Sequence, residues 1–284
     1  MQKKSVEIAF KKEFGQAINT IGCQDKSELE LRIRDERTRV IFSENVVEAI
    51  ENVHNLDYQP LYFDDEASVA LDTYARFPES LEFFSERAWQ VVRQLFTGTD
   101  ATPEAIIQKE MTRRSLDPIL KQFQSISGGR LVRQGRKIEF LKDDESSRLP
   151  TTNLSAGLKI FLMLQELISN GSLREQGTVV LDEPEIHLHP LWQVRLAELV
   201  VQLQKTFGLH ILITTHSPYF VSALDIYSKK YGVIKNNRYY FADRQSDGCY
   251  LKDVTKHLYV IYDSLAQPYR IIEDEAMRLK NAHT

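Results

Sequence analysis

The sequence predicts an α/β fold: a mostly parallel core sheet joined to a helical segment and an antiparallel β region. Three observations carry that expectation. The first is a strand–helix–strand run over 178–215. Val179-Val180-Leu181 leads into PLWQVRLAELVVQLQKTFG, and LHILIT follows. Two short β-branched runs joined by one amphipathic helix have the length of a right-handed crossover unit, which makes neighbouring strands parallel. The second is a strongly apolar helix over about 156–169 just before that unit. Ser155 is placed to cap its start, and Asn170-Gly171 to stop it. The third is a set of short alternating stretches near the N-terminus, VEIAF, LELRI, TRVIF and PLYF, which read as strands.

Taken in order, the chain falls into three zones: a β-rich partial lobe over 1–65, a helical arm with a β-hairpin over 66–150, and a C-terminal lobe over 151–284. The first zone also reads as holding one helix near 45–54. In the second, SLEFFSERAWQVVRQLF places Leu81, Phe84, Ala88, Val91, Val92 and Leu95 on one helical stripe. Thr102-Pro103-Glu104 opens a further helix, with proline at its first position, that continues to Phe123 and is interrupted at Pro118. GGRLVRQGRKIEFLK reads as a hairpin turning at Gln134-Gly135, and the acidic stretch Asp143-Asp144-Glu145 as a loop. In the third zone, Leu191, Val194, Leu199, Leu203 and Phe207 mark a helix closed by Gly208. A helix over Pro218–Tyr231 with Tyr219, Phe220, Leu224 and Tyr227 inward follows. A second hairpin turns at Ser246-Asp247-Gly248, and a last amphipathic helix is broken by Pro268.

The residues that carry chemistry lie at the strand ends. Val179-Val180-Leu181 runs into adjacent carboxylates, Asp182 and Glu183, and then a proline. Open α/β sheets bind ligands at the carboxyl ends of their strands. One carboxylate there can hold a hard cation such as Mg²⁺, and the next can orient or deprotonate a water. That pairing suits phosphoryl transfer, in which a protein mainly positions groups and balances charge. Asn153-Leu154-Ser155-Ala156-Gly157 enters the apolar helix with free backbone N–H groups, which favour anions. Ser155 adds a hydroxyl there, and Gly157 leaves room for a phosphate. The second strand ends in Thr214-Thr215-His216-Ser217, and parallel pairing would bring His216 to the edge that carries the two acids.

Together NLSAGLK, VVLDEPEIHLHP and ITTHSP resemble the C-terminal lobe of ABC-type ATPase heads, in the branch shared by structural-maintenance-of-chromosomes proteins, RecF-like proteins and overcoming-lysogenization-defect nucleases. They look like that family's signature, Walker B strand and histidine switch, in order and spacing, over about 150–232. The wording is also similar to ATPase subunits of Septu and retron-associated antiphage systems. The resemblance implies a P-loop NTPase fold and ATP and Mg²⁺ as ligands. It assigns Asp182 to the metal, Glu183 as general base for the attacking water, and His216 to the γ-phosphate. It puts Asn153, Leu154, Ser155, Ala156 and Gly157 on nucleotide bound to an opposing subunit, so a second ABC-type head is the implied partner. A nuclease effector acting on foreign DNA is implied by the same likeness.

One part of that pattern is missing. A P-loop needs GxxxxGK[ST], because glycine amides cradle the phosphates and lysine neutralises them. None of the twelve glycines is followed by lysine. The resemblance therefore implies an N-terminal P-loop lobe that is truncated, supplied by another polypeptide, or lost.

Composition bounds the rest. Apolar residues make up 42% and charged residues 27% of 284, as in an ordinary globular protein. No apolar run reaches membrane-spanning length, and MQKKSVEIAF holds no secretory core. The two cysteines, Cys23 and Cys249, have neither metal nor disulfide spacing, so the cytoplasm is the expected compartment. A net charge of −4 offers no global field for nucleic acid, which leaves DNA only a local patch. Two rival functions follow from the residues. Asp182, His187, His189 and His216 could form a metal-dependent hydrolase or nuclease. Alternatively the chain is a nucleotide-blind scaffold for a partner protein. The EIHLHP segment itself reads as a loop facing a dimer partner.

Overall fold

A computed structural model of the chain describes residues 26–33, 36–52, 60–77, 84–96, 116–134, 137–173, 175–246 and 248–282. The VEIAF stretch and the helix start at Thr102-Pro103-Glu104 lie outside them. The chain divides into two compact units, Met1–Gln59 and Pro60–Thr284.

The first unit holds three strands, β1 (Ser27–Ile33), β2 (Glu36–Ser43) and β3 (Val46–Glu51), in an antiparallel sheet of order β1-β2-β3. Val40, Phe42 and Val47 form a small buried cluster with Ile50 packed on it. The helix expected near 45–54 is instead β3. Glu44 and Asn45 both adopt positive φ, 50° and 63°, the geometry of a two-residue hairpin turn that suits the strand twist. Once that turn forms, Val46-Val47 pairs with β2 and Val47 is buried. Pairing with an adjacent strand overrides a short stretch of helical periodicity.

The second unit contains, in chain order, β4 (Leu61–Phe63), α1 (Asp65–Arg76), α2 (Glu86–Phe96), α3 (116–127), β5 (Gly129–Gln134), β6 (Lys137–Lys142), β7 (Arg148–Pro150), α4 (Ala156–Ser169), β8 (Thr178–Asp182), α5 (Pro190–Phe207), β9 (His210–Thr214), α6 (Pro218–Tyr231), β10 (Tyr240–Gln245), β11 (Gly248–Asp253) and α7 (Tyr259–Ala282). Strands β4, β8 and β9 form a parallel sheet in that order, with β8 central. The fold class is therefore α/β, as the sequence implies. Strands β5-β6-β7 and β10-β11 form antiparallel sheets. The first confirms the expected hairpin and adds β7, just after the acidic loop, where the sequence suggests no element.

Helix α4 is central because it is apolar nearly all round. Ten of its residues from Gly157 to Ile168 are buried. Phe161 meets Phe123 and Trp192 edge-on at ring distances of 6.2 and 5.6 Å. Its one buried charge, Lys159, is paired with Asp72 on α1 at 2.5 Å, as a buried ammonium requires. One face of the parallel sheet is covered: Leu61, Phe63, Val179 and Leu181 are all buried. The opposite face is open enough to leave Leu212 60% exposed.

Helix ends follow their capping residues. Ser155 caps α4 by accepting from the Leu158 N–H at 3.2 Å. Gly208 closes α5 with φ 64°, a left-handed conformation that glycine adopts freely. Four expectations change in detail. Helix α2 begins at Glu86. Helix α3 runs unbroken through Pro118. Leu191 and Tyr219 face solvent, and Leu196, Val200, Val221 and Ala223 take the inward places. Helix α7 continues through Pro268, since on an exposed helix water can satisfy the carbonyl freed by proline. No helix among the described residues is long and apolar enough to cross a membrane.

Candidate functional site at the carboxyl edge of the parallel sheet

The register of β8 and β9 sets Asp182 opposite Thr214. Both strands therefore end at one edge, and the Thr214 hydroxyl donates to Asp182 Oδ1. On the other side of β8, Tyr62 from β4 donates its phenol to Asp182 Oδ2 at 2.8 Å. The carboxylate is thus held from both neighbouring strands. Burial raises the Tyr62 pKa to about 12, and the hydrogen bond to Asp182 and its negative charge add to the rise. Tyr62 consequently stays a donor throughout the neutral range. Arg87 lies over the Tyr62 ring, 4.4 Å from its centroid, a cation–π contact. Asp64, which caps α1 through the Ala67 N–H at 3.0 Å, is raised in pKa by burial.

Glu183 begins the turn. Its φ is 46°, a left-handed conformation that costs a residue with a Cβ on the order of 1 kcal/mol or more. Its N–H is shared between the Thr214 carbonyl and hydroxyl, each at 3.1 Å. That anchor fixes the reversed backbone, and the Glu183 carboxylate then meets His216, Oε1 to Nε2 at 3.2 Å. The His216 side chain is 85% exposed and that of Glu183 40% exposed. The pair is open to whatever approaches the sheet edge. The sequence expectation that parallel strands bring His216 to the acids matches this geometry.

The loop after Glu183 is built as firmly. Glu185 is only 5% exposed. Its Oε1 accepts from the Thr215 hydroxyl and from the His216 N–H at 3.1 Å. Its Oε2 is buried without a hydrogen-bond partner among the described residues. Gln193 on α5 donates to the Leu188 carbonyl at 3.0 Å and accepts from Ser217 Oγ at 2.5 Å. Two side chains thus tie the acidic turn to the segment carrying His216. His187 pairs with Asp65 at 2.7 Å, and His189 caps α5 by accepting the Leu191 N–H at 3.3 Å. Each imidazole has its own partner. No group of three or more His, Cys, Asp and Glu side chains among the described residues is arranged to hold a metal ion. That argues against the rival metal centre built from Asp182, His187, His189 and His216.

Asn153 ends a short 3-10 helix, Thr151–Asn153, and Leu154 links it to the Ser155 cap. Gly157 packs directly on the acidic loop. A Cβ there would come within 2.5 Å of Leu188 Cδ2 and 2.8 Å of the His187 carbonyl oxygen. Its lack of a side chain serves that approach, so the start of α4 is held to the segment that follows Glu183.

Sequence reasoning missed Tyr62, Thr214, Glu185 and Gln193. The pairing of Asp182 with Thr214 could have been inferred from aligning the two strand ends. Tyr62 has a weaker signal, since its strand is separated from Asp182 by more than a hundred residues. Glu185 gives none, because a glutamate in a loop reads as solvated.

Comparison with known proteins gives these groups a context. A family model described as "AAA domain, putative AbiEii toxin, Type IV TA system" matches residues 25–222. The Retron Ec83 probable ATPase of Escherichia coli is 27% identical over 156 residues, which is 48% of this chain and 28% of that protein. Septu protein PtuA of Bacillus thuringiensis is 25% identical over 158 residues, 51% of this chain and 39% of that protein. The chain thus spans well under half the length of these relatives. Among solved structures, the SmcHead bound to the C-winged helix domain of ScpA aligns with a TM-score of 0.48 at 10% identity, over 83% of this chain and 75% of that one. The SMC head domain from Thermotoga maritima aligns at 0.39 and 15% identity, over 81% and 73%. With most of its length matched by the family model, the chain belongs to this AAA-domain family and is similar in sequence to the retron and Septu proteins.

Proposed function

We propose that this chain forms the Walker B and switch portion of a Mg²⁺-dependent ATP-hydrolysing head, with nucleotide held between two heads. The observation that carries the reading is the cluster of Asp182, Glu183 and His216 at one sheet edge, with Glu183 and His216 in contact and both exposed. Each oxygen of Asp182 accepts one hydroxyl and keeps a further lone pair. The carboxylate therefore fits a hard cation that prefers oxygen and also takes ligands from substrate phosphates. When bound, Mg²⁺ offsets charge on the phosphates of ATP.

The chain's own residues supply the rest. Tyr62 and Thr214 hold Asp182 in place. Glu183 accepts a proton from the attacking water as the water oxygen bonds to the terminal phosphorus and the bridging P–O bond breaks, giving ADP and phosphate. His216, steadied by Glu183, faces the terminal phosphate. Glu185 and Gln193 keep the acidic turn and the switch in register. The capped start of α4, with Asn153, Leu154, Ser155 and Ala156, addresses nucleotide on the opposing head, while the space at Gly157, which the sequence leaves for a phosphate, is taken by Leu188 and the His187 carbonyl. The phosphate cradle comes from a P-loop outside this sequence, since no Gly-Lys pair occurs within it. A nuclease effector belongs to the same proposal by family likeness, a cytoplasmic setting by the spacing of the two cysteines, and DNA only through a local patch, given the net charge of −4.

The test is phosphate release and nucleotide-dependent association of the chain, alone and with a polypeptide carrying the P-loop. Glu183→Gln should stop turnover and leave association intact. Turnover at the parental rate would refute the assignment of Glu183. The absent Gly-Lys pair favours a second reading, a scaffold that does not engage nucleotide. Failure of ATP to bind in any mixture would select it.

A further inference from the structure

Helix α7 carries a bare hydrophobic seam. From position 267 to 281 every residue is exposed. Tyr269, Ile272 and Leu279 on one face stand between 56% and 65% exposed, and Ile271 and Met277 are exposed off that face. Tyr262 roots the helix on the body, where it lines a groove with Val194, Ile226 and Tyr227. Beyond it the apolar residues are mostly exposed among the described residues. Surface helices are apolar on the face that packs, so this face is built for something.

Its spacing identifies the occupant. Leu258, Leu265, Ile272 and Leu279 recur every seven residues, and Tyr262, Tyr269 and Ala276 recur every seven between them. That alternation of four and three is the a/d pattern of a helix pairing with another helix of the same repeat. With Leu265, Ile272 and Leu279 at d, Glu275 falls at g and Lys280 at the following e. A parallel, in-register pair sets Glu275 of one copy beside Lys280 of the other, in both directions. Full-overlap antiparallel pairing instead sets Glu275 near Pro268 and Glu273 near Ala266, with no such match. We propose that α7 pairs with α7 of a second copy of this chain as a short parallel coiled coil that tethers two heads.

The seam is too short to be strong alone, because short helices gain most of their stability from packing. Its effect is to raise the concentration at which one head meets the other. The inference does not rest on the nucleotide reading, since this association is measured with no nucleotide present.

Sedimentation velocity of the chain without ATP, up to concentrations on the order of 100 μM, the weak end of specific association, should show a reversible monomer–dimer equilibrium. Ile272→Ser with Leu279→Ser should weaken it by at least about tenfold and leave the circular dichroism melt of the body in place. Lys280→Glu should weaken it, and the exchange Glu275→Lys with Lys280→Glu should restore it. Ile272→Cys in a Cys23→Ser, Cys249→Ser background should form a disulfide-linked dimer on mild oxidation, because d positions face each other in a parallel pair. A monomer throughout, or a dimer indifferent to the serine substitutions, would overturn the proposal. A dimer that ignores the charge exchange and does not cross-link at position 272 would overturn the parallel register.

Discussion

The turn at 182–193 and helix α7 are built on opposite plans. In the turn, polar side chains answer one another: Asp182 is held from two strands, Glu185 clasps the backbone of His216, and Gln193 links two loops. In α7 the side chains have a pattern and stay exposed among the described residues. The contrast separates two meanings of exposure. Glu183 and His216 are exposed at the tips of a rigid frame, as groups awaiting a small ligand must be. The α7 seam is exposed along its length, as a face awaiting another helix would be.

That difference can be broken in order of expected effect. Glu183→Gln should reduce phosphate release by at least about 100-fold and leave the melting temperature unchanged. Equal loss of stability would show that the residue is structural. Lys159→Met should cost about 3–5 kcal/mol in denaturant unfolding, because Asp72 would keep its charge in a part-buried place with no counter-ion. Gly157→Ala should cost about 1–3 kcal/mol, since the added methyl has the His187 carbonyl in its way. It should also alter turnover by moving the acidic loop, which a distant packing defect would not do.

Tyr62→Phe should cost about 1 kcal/mol for the lost hydrogen bond, and it carries a pH signature. The folded pKa of Tyr62 is pushed up to about 12, above the ordinary tyrosine value of 10.0. Its contribution is complete below the unfolded value and is lost as pH rises through the folded one. The parent should therefore lose stability over that alkaline interval, and the phenylalanine variant should lose less. At the small end, Ile272→Ser should change the stability of the monomer by no more than about 0.5 kcal/mol, because Ile272 is 65% exposed. A large loss there would mean that α7 packs on its own body.

Much of the second unit was legible because its signals are local. Ser155 caps α4, Gly208 closes α5, and each β-branched run ends where the crossover needs it. The closeness of His216 to the acidic pair followed from one inference, that strands joined by a crossover helix run parallel. What escaped depended on distant partners. Tyr62 reaches Asp182 from a strand 120 positions earlier, and no spacing reveals that. Residues 45–54 looked helical because Val46, Val47 and Ile50 share a helical face. The paired positive φ values at Glu44 and Asn45 made them a strand instead. Tyr219 looked like core on a helical stripe, yet it follows the first-position proline of α6 and points to solvent. Glu185 had the look of a surface acid and proved among the best-buried polar groups.

The left-handed backbone at Glu183 has a consequence for how such a chain can change. Glycine would take that conformation without strain, so Glu183→Gly should relieve the turn even as it deletes the carboxylate. Selection for robustness alone would push this position toward the smallest residue, and selection for chemistry pushes it back. A laboratory search for heat-tolerant variants should therefore recover inert proteins altered at this position.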